Sequence, residues 1–287
     1  MVICWKPPMT SFTITPSNLT KIITTTIHAA DTDPLFRALA ALHFTADTHT
    51  ITATATDRFR LAQYSNNTEI VTHKPGEILI SRHHARVIKD LFGKGVHGPV
   101  TVTTDDESHS VTFSGAHAGV NLTVPTINDS FPDLEPLFPK AFQHHVTVNQ
   151  GVAIKALRSL KKKSKKQRVR VTVYRSHDSE LSGEIVFTCD GHTADPVPCR
   201  VHALDTDELS LGDINLHYLA QALDAFPSHH PLSIFVQKKA GRPLLISNHT
   251  PAKDSYVQAP EAHKDLGDYD MSGPRPSQWE LIMPMRG

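Results

Sequence analysis

The sequence predicts an α+β protein made of two similar domains. Two observations carry this. Four times along the chain an alternating apolar–polar segment is followed by a short polar break, an amphipathic helical segment and further alternating segments. Between the second and third repeats lies FPDLEPLFPKAF, where Pro132, Pro136 and Pro139 interrupt regular pairing. With 287 residues, 39% of them hydrophobic and 20% charged, the chain can bury two ordinary cores.

Residues 1–10 form an N-terminal tail. The first repeat is SFTITP with a helix from Ser17 to His28, and the second is GEILI with a helix from Ser81 to Phe92. The third is HHVTVNQ with a helix from Gly151 to about Lys163, and the fourth is ELSLGDIN with a helix from Leu216 to Phe226. Ser17 and Ser81 are read as N-caps, whose hydroxyls accept a bond from a free amide of the first turn. Segments such as ITATATDRF, PVTVTTDD, HSVTFSG, RVRVTVYR, GEIVFTC, PLSIFVQ and RPLLISN alternate with period two and read as strands. Repeats one and two make a domain over 11–140, and repeats three and four make a second over 141–287. The stretch from His249 to Gln278 reads as a long surface loop before a final strand in WELIMPMR.

Lys+Arg and Asp+Glu are both 29, so the formal net charge is zero. That excludes binding of nucleic acid by bulk positive charge and leaves open positive charge confined to one surface. The third helix shows such a surface. Ala153, Ile154, Leu157 and Leu160 share one side, while Lys155, Arg158, Lys162 and Lys166 take the other, flanked by Lys161, Lys163 and Lys165. In the second helix Arg82, Arg86 and Lys89 share a face opposite Ala85, Ile88, Leu91 and Phe92. Lys21 and His28 mark the polar side of the first helix more weakly. The fourth presents His217, Gln221 and Asp224 and breaks the pattern. A lysine run by itself is ordinarily a solvated face; its recurrence in repeated units points to one shared basic surface. No aromatic residues interleave the cations, so the pattern fits contact with duplex phosphates rather than base stacking or base reading.

Cys4, Cys189 and Cys199 show no C-x-x-C spacing and read as buried thiols, with neither a disulfide framework nor a metal site expected. The 19 histidines form no HExxH or HxH pattern, and most read as surface residues. No P-loop, nucleophile elbow or telling carboxylate pair is present, so no catalytic residue and no cofactor are expected. No apolar run reaches the roughly 18–20 residues needed to cross a bilayer, and the start lacks a secretory signal, so a cytoplasmic location without membrane contact is expected.

Four segments resemble the bacterial DNA polymerase III beta subunit, the beta sliding clamp family. ATATDRFRLAQYS resembles its ATD-x-x-RLA segment, and LIMPMR, Leu281 to Arg286, resembles its ending. FPDLEPLFP resembles the segment joining its second and third domains, and INLHYLAQALDAF with KKAGRPLLIS resembles its last domain. All four fall in the family's order and cover the chain from about residue 11. The resemblance implies the DNA-clamp fold, with helices lining a pore and antiparallel sheets outside. It also implies a shortened form lacking the usual N-terminal domain, and Met1 favours a genuine two-domain chain over a fragment. A ring of six such domains then requires a head-to-tail homotrimer. The resemblance implies double-stranded DNA, polymerase and clamp-loader subunits as partners, and a nucleoid-associated role in DNA replication; the short form suggests a bacteriophage source.

The resemblance further implies a hydrophobic cleft between the last two domains that receives short linear motifs of partner proteins. The matching positions are Leu39, Thr56, Arg58, Arg60, Leu61, Pro139, Leu281, Met283, Pro284, Met285 and Arg286. Methionines give an adaptable wall for apolar anchors and arginines bond a peptide backbone or carboxylate; Leu39 and Leu61 also fit plain core positions. Arg58 and Phe59 replace the commoner Gly-His or Arg-Tyr of the family, and the chain ends in Arg286-Gly287 where the family commonly ends in Leu, so a rim selecting different peptides is expected. Two rival readings remain. One is a clamp-like decoy or accessory protein that forms no ring and binds clamp-interaction motifs. The other is a histidine-dependent hydrolase or metal enzyme.

Overall fold

Each helix begins where an alternating strand ends, and the cap chemistry decides the exact residue. The computed structural model describes residues 10–285 except 68–69, 106, 117–118, 140, 164–166, 229, 239–240, 249–255, 258–267 and 271–276. The chain divides into two units, Met1–Asp133 and Leu134–Gly287. The division falls within the proline-containing segment that starts at Phe131, ahead of the expected 140/141 boundary.

Unit one runs β1 (Ser11–Ile14), α1 (Pro16–Thr26), β2 (Ala41–Ala46), β3 (Ile51–Thr56), β4 (Arg60–Asn66), β5 (Ile70–Lys74), β6 (Gly76–Ser81), α2 (Arg82–Phe92), β7 (Val100–Asp105), β8 (Ser110–Gly115) and β9 (Asn121–Pro125). Two antiparallel sheets result, in the orders β5-β1-β7-β8-β9 and β4-β3-β2-β6. Period-two alternation puts Phe12 and Ile14 of β1 with Val100 and Val102 of β7 on the buried face of one sheet, and Ile51, Ala53 and Ala55 of β3 on the buried face of the other. Against them pack Leu19, Ile22 and Ile23 of α1 and Ala85, Ile88 and Phe92 of α2.

Three details of unit one correct the expectations. The cap of α1 is Thr15, not Ser17: its side chain accepts from the Asn18 amide at 3.4 Å. Pro16 disfavours helical backbone in the residue before it and is itself preset for the first helical position, so Thr15 is the boundary. The helix stops at Thr26 and tightens into a 3-10 turn over Ile27–Ala29. Leu91 is 37% exposed rather than part of the buried stripe; at about 100° per residue it sits roughly 90° round the helix from the centre of Ala85, Ile88 and Phe92. Ser81 does cap α2, accepting from the His84 amide at 3.2 Å.

Unit two runs β10 (Ala141–Phe142), β11 (His144–Asn149), α3 (Gln150–Lys163), β12 (Arg168–Ser176), β13 (Ser179–Cys189), β14 (His192–Thr193), β15 (Val197–Ala203), β16 (Glu208–Asn215), α4 (Leu216–Asp224), β17 (Pro231–Val236), β18 (Leu244–Ser247), β19 (Tyr256–Val257), β20 (Asp268–Asp270) and β21 (Gln278–Ile282). Its main strands lie in the order β16-β12-β13-β15-β11-β17-β18-β21, all neighbours antiparallel. A smaller sheet, β10-β20-β19, draws two strands from the stretch expected to be a loop before Gln278. These strands were hidden because pairing partners distant in sequence, not local alternation, create them.

The core of unit two places Ala153, Ile154, Leu157 and Leu160 of α3 and Leu219, Ala222 and Leu223 of α4 against the inward residues of β11–β13 and β15–β18. Gln150 is 3% exposed, and its amide donates to the Leu223 and Phe226 carbonyls, joining the start of α3 to the end of α4. Strands β12 and β13 approach closely at Gly183, where a Cβ would lie 2.4 Å from the Tyr174 carbonyl oxygen. Together these elements form an α+β fold with antiparallel sheets backing paired helices in each unit.

Candidate functional site

The basic residues of α3 stand on its solvent side because burial takes the opposite one. Asn149 caps the helix by accepting from the Val152 amide at 3.1 Å. Lys155, Arg158, Lys161, Lys162 and Lys163 are all exposed; Lys165 and Lys166 lie outside the described residues. Lys155, Arg158, Lys162 and Lys163, with Asp224 of α4, line an open groove of about 570 Å³. Arg158 is not a free cation there, since it meets Asp224 at 2.9 Å. Both partners are more than half exposed, and such a pair contributes little stability. It does reduce the local positive potential, a coupling between neighbouring helices that one-helix reasoning missed.

On α2 Arg86 is exposed, Arg82 and Lys89 are half-buried, and Lys89 approaches Asp90 at 3.7 Å. Burial, then the nearby Arg86 and Arg60, lower the affinity of Arg82 for its proton. Lys21 is exposed on α1 and lies over the Tyr64 ring at 5.2 Å.

The segment matching ATD-x-x-RLA is a tightly bonded turn of unit one. Thr56 donates from Oγ1 to the Arg60 carbonyl at 2.7 Å, and Asp57 Oδ1 accepts from the Phe59 and Arg60 amides at 3.1 and 3.0 Å. Arg60 meets the other Asp57 oxygen at 3.0 Å and also donates to the His28 carbonyl. It is therefore buried and used in holding the turn. Arg58 sits in the left-handed region with φ 77°. An ion pair with Asp31 at 3.2 Å and the face of Phe36 at 4.1 Å hold it there. Thr56 and Leu61 are buried and Leu39 is half-buried, while Phe59 stays 56% exposed.

In unit two Leu281 is buried within β21, and so is Pro139. Past the strand Met283 and Pro284 are half-buried and Met285 is 38% exposed. The Met285 amide donates to the Asp213 carbonyl at 2.7 Å. Asp213 in turn receives Arg170 at 3.0 Å and Arg168 at 3.7 Å. Arg286 lies outside the described residues.

Sequence reasoning missed a group of buried histidines in unit two. His144 and His145, on β11, are 2% and 1% exposed. The His145 ring is stacked between His202 and Phe235, each with a centroid 4.3 Å away. Burial, with His202 beside it, pushes His145 down to about 3. Burial likewise lowers His144 and His202. For His144 the available signal was its alternation with Val146 and Val148, but histidine pairs read first as surface residues; His145 falls in phase with Thr147 and gave no such signal. Cys189 and Cys199 are buried in β13 and β15, and burial pushes the Cys199 thiol up to about 12. Among the described residues no cluster of His, Cys, Asp or Glu is arranged to hold a metal ion. Among them, too, no helix is long and apolar enough to cross a membrane.

No family model matches the chain, and no curated protein sequence matches it. Solved structures do. The DNA polymerase III subunit beta from Pseudomonas aeruginosa superposes with a TM-score of 0.73 at 17% identity, over 96% of this chain and 66% of that one. The beta subunit from Thermotoga maritima gives 0.72 at 17% identity over 97% and 66%. The DNA polymerase sliding clamp from Bacillus subtilis gives 0.72 at 16% identity over 96% and 64%. The chain has the sliding-clamp fold. It spans about two thirds of the length of the clamps it matches. The clamp fold accounts for the repeat of sheet and helix pair seen in each unit.

Proposed function

We propose that the chain is a DNA sliding clamp: a ring-forming processivity factor that surrounds duplex DNA and tethers a polymerase. The single observation carrying this reading is the clamp fold over 96% of the chain, in which α3 keeps an exposed face of Lys155, Arg158 and Lys161–Lys163. The mechanism is topological and non-enzymatic. A closed ring leaves DNA only by opening, so the cations of α2 and α3, with Lys21, need only weak, sequence-blind attraction to phosphates that permits sliding. Lys165 and Lys166 are proposed to join them. Tethering then raises the effective concentration of a bound polymerase at its template. The chain carries two units, so three copies in head-to-tail contact supply six domains. In this reading the protein works in the cytoplasm on the nucleoid.

The partner site is proposed to take apolar linear motifs from polymerase and clamp-loader subunits. The members proposed for it are Leu39, Arg58 and the turn at Thr56, Arg60 and Leu61 in unit one, with Pro139, Leu281, Met283, Pro284, Met285 and Arg286 from the second half of the chain. Arg58 in unit one, and Met283, Pro284 and Met285 in unit two, offer accessible surface.

Light scattering over a dilution series, paired with retention on nicked circular against linear duplex, tests the ring. A species of three times 31.7 kDa, retained on circles and lost from linear DNA, is expected. A monomer at every concentration, lost equally from both, overturns it in favour of the decoy that only captures clamp-interaction motifs. The Arg158–Asp224 pair, which subtracts charge from the basic face, is what favours that second reading.

A further inference from the structure

We propose that the open pocket of about 500 Å³ between the 31–40 loop and the head of α2, in unit one, binds a small phosphate-bearing ligand of nucleotide size. Its volume lies within the range of small-molecule sites. Arg37 comes from the loop and Arg82 and Arg86, one turn apart, from α2, with His83 beside them. Asp31 is the one acid on the wall, and it is already engaged by Arg58 at 3.2 Å. Arg37 pairs with Asp129 at 3.7 Å, so the positive surplus of this concave wall rests on Arg82 and Arg86, whose guanidinium forks match phosphate geometry.

Two further facts favour a bound anion over a merely solvated basic patch. The Nε of Arg82 is buried without a hydrogen-bond acceptor, which costs free energy that an anion accepting from this guanidinium would offset. Burial foremost, then Arg86 and Arg60, lowers the proton affinity of Arg82, and Asp31 and Asp57 offset part of this. The remaining wall, Pro34, Ala40 and Ile127, is apolar and suits the body of an organic phosphate better than a bare ion.

The walls are also fixed in advance. The Asp31 amide donates to Leu39 O at 2.9 Å and the Arg82 amide to Ala40 O at 2.8 Å, closing the loop and tying it to α2. Asp31 and Asp33 side chains accept from the Asp33 and Leu35 amides, each at 3.0 Å. On the far side the Ile127 amide donates to Leu79 O at 2.9 Å. A preset pocket loses little ordering free energy on binding.

Calorimetric titration of the full chain with adenosine 5′-monophosphate, inorganic phosphate and adenosine tests this. Saturable binding of the monophosphate, weaker binding of phosphate and none of adenosine are expected. Arg37→Gln and Arg82→Gln should each weaken the monophosphate by about tenfold or more, the effect of losing a charge-assisted bond. Arg37 lies outside the basic helices assigned to DNA, so its variant separates the pocket from the clamp function. Lys155→Ala/Lys162→Ala should leave monophosphate affinity unchanged; a loss there would move the anion site to α3 and overturn the proposal. No saturable heat for monophosphate or phosphate up to about 10 mM, or wild-type affinity in both arginine variants, would also overturn it.

Discussion

Lowering the pH from 7.5 to 5 should destabilise unit two through His145. The folded protein holds this imidazole neutral, its proton affinity down at about 3, between His202 and Phe235. In the unfolded chain it titrates near its ordinary value of about 6.5. A folded value below the unfolded one means that the unfolded state binds more protons between these limits, so stability falls as pH drops through that window. At pH 5 the unfolded imidazole is almost fully protonated and the folded one almost fully neutral, a difference of about 2 kcal/mol from this residue alone. That is a sizeable share of a typical domain stability of about 5–15 kcal/mol. His144 and His202 act in the same direction, as both are lowered by burial. Arg200 lies beside His202 of the stack, whereas Asp205 and Lys238 stand beside His144. Asp205 is pushed up by burial, yet Lys238 and His144 bring it below its ordinary value, so its stabilisation is lost only below about pH 4. Urea unfolding followed by fluorescence of Trp279, buried in the same unit, reads the change. His145→Phe keeps the ring stack without the proton, and it should remove about 2 kcal/mol of the loss between pH 7.5 and 5. A loss equally large in that variant would refute the assignment to His145.

Other substitutions address the remaining parts. Replacing Lys155 and Lys162 with Ala should weaken duplex binding and lower the slope of log affinity against log salt by about 0.9 for each phosphate no longer neutralised, measured from 50 to 200 mM salt. Arg60→Ala leaves Asp57 buried without its cation, and chemical denaturation should show a loss of about 3 kcal/mol. Truncation after Ile282 removes Met283–Gly287 while keeping β21, so fluorescence anisotropy should show polymerase-peptide binding abolished with circular dichroism unchanged. Retained peptide affinity would mean that the peptide site lies elsewhere.

Much of the architecture is legible in the sequence because each step is local. Alternation in SFTI, VTVTTD and RVRVTVY marks the strands, a 3.6-residue rhythm in VAIKALRSL marks α3, and both periods depend only on neighbours along the chain. The same rhythm separates the lysines of α3 from its core stripe, and the four recurrences announce a repeated fold. Tertiary structure decides the rest, because it depends on residues far apart in sequence. Only packing brings Asp224 to Arg158 from 66 positions away and Arg58 to Asp31 and Phe36. Only strand pairing turns Tyr256–Val257 and Asp268–Asp270 into a sheet with β10. And only enclosure by β15 and β17 makes a surface-looking His144-His145 pair a buried one, since burial is set by what covers a residue and not by the residue itself.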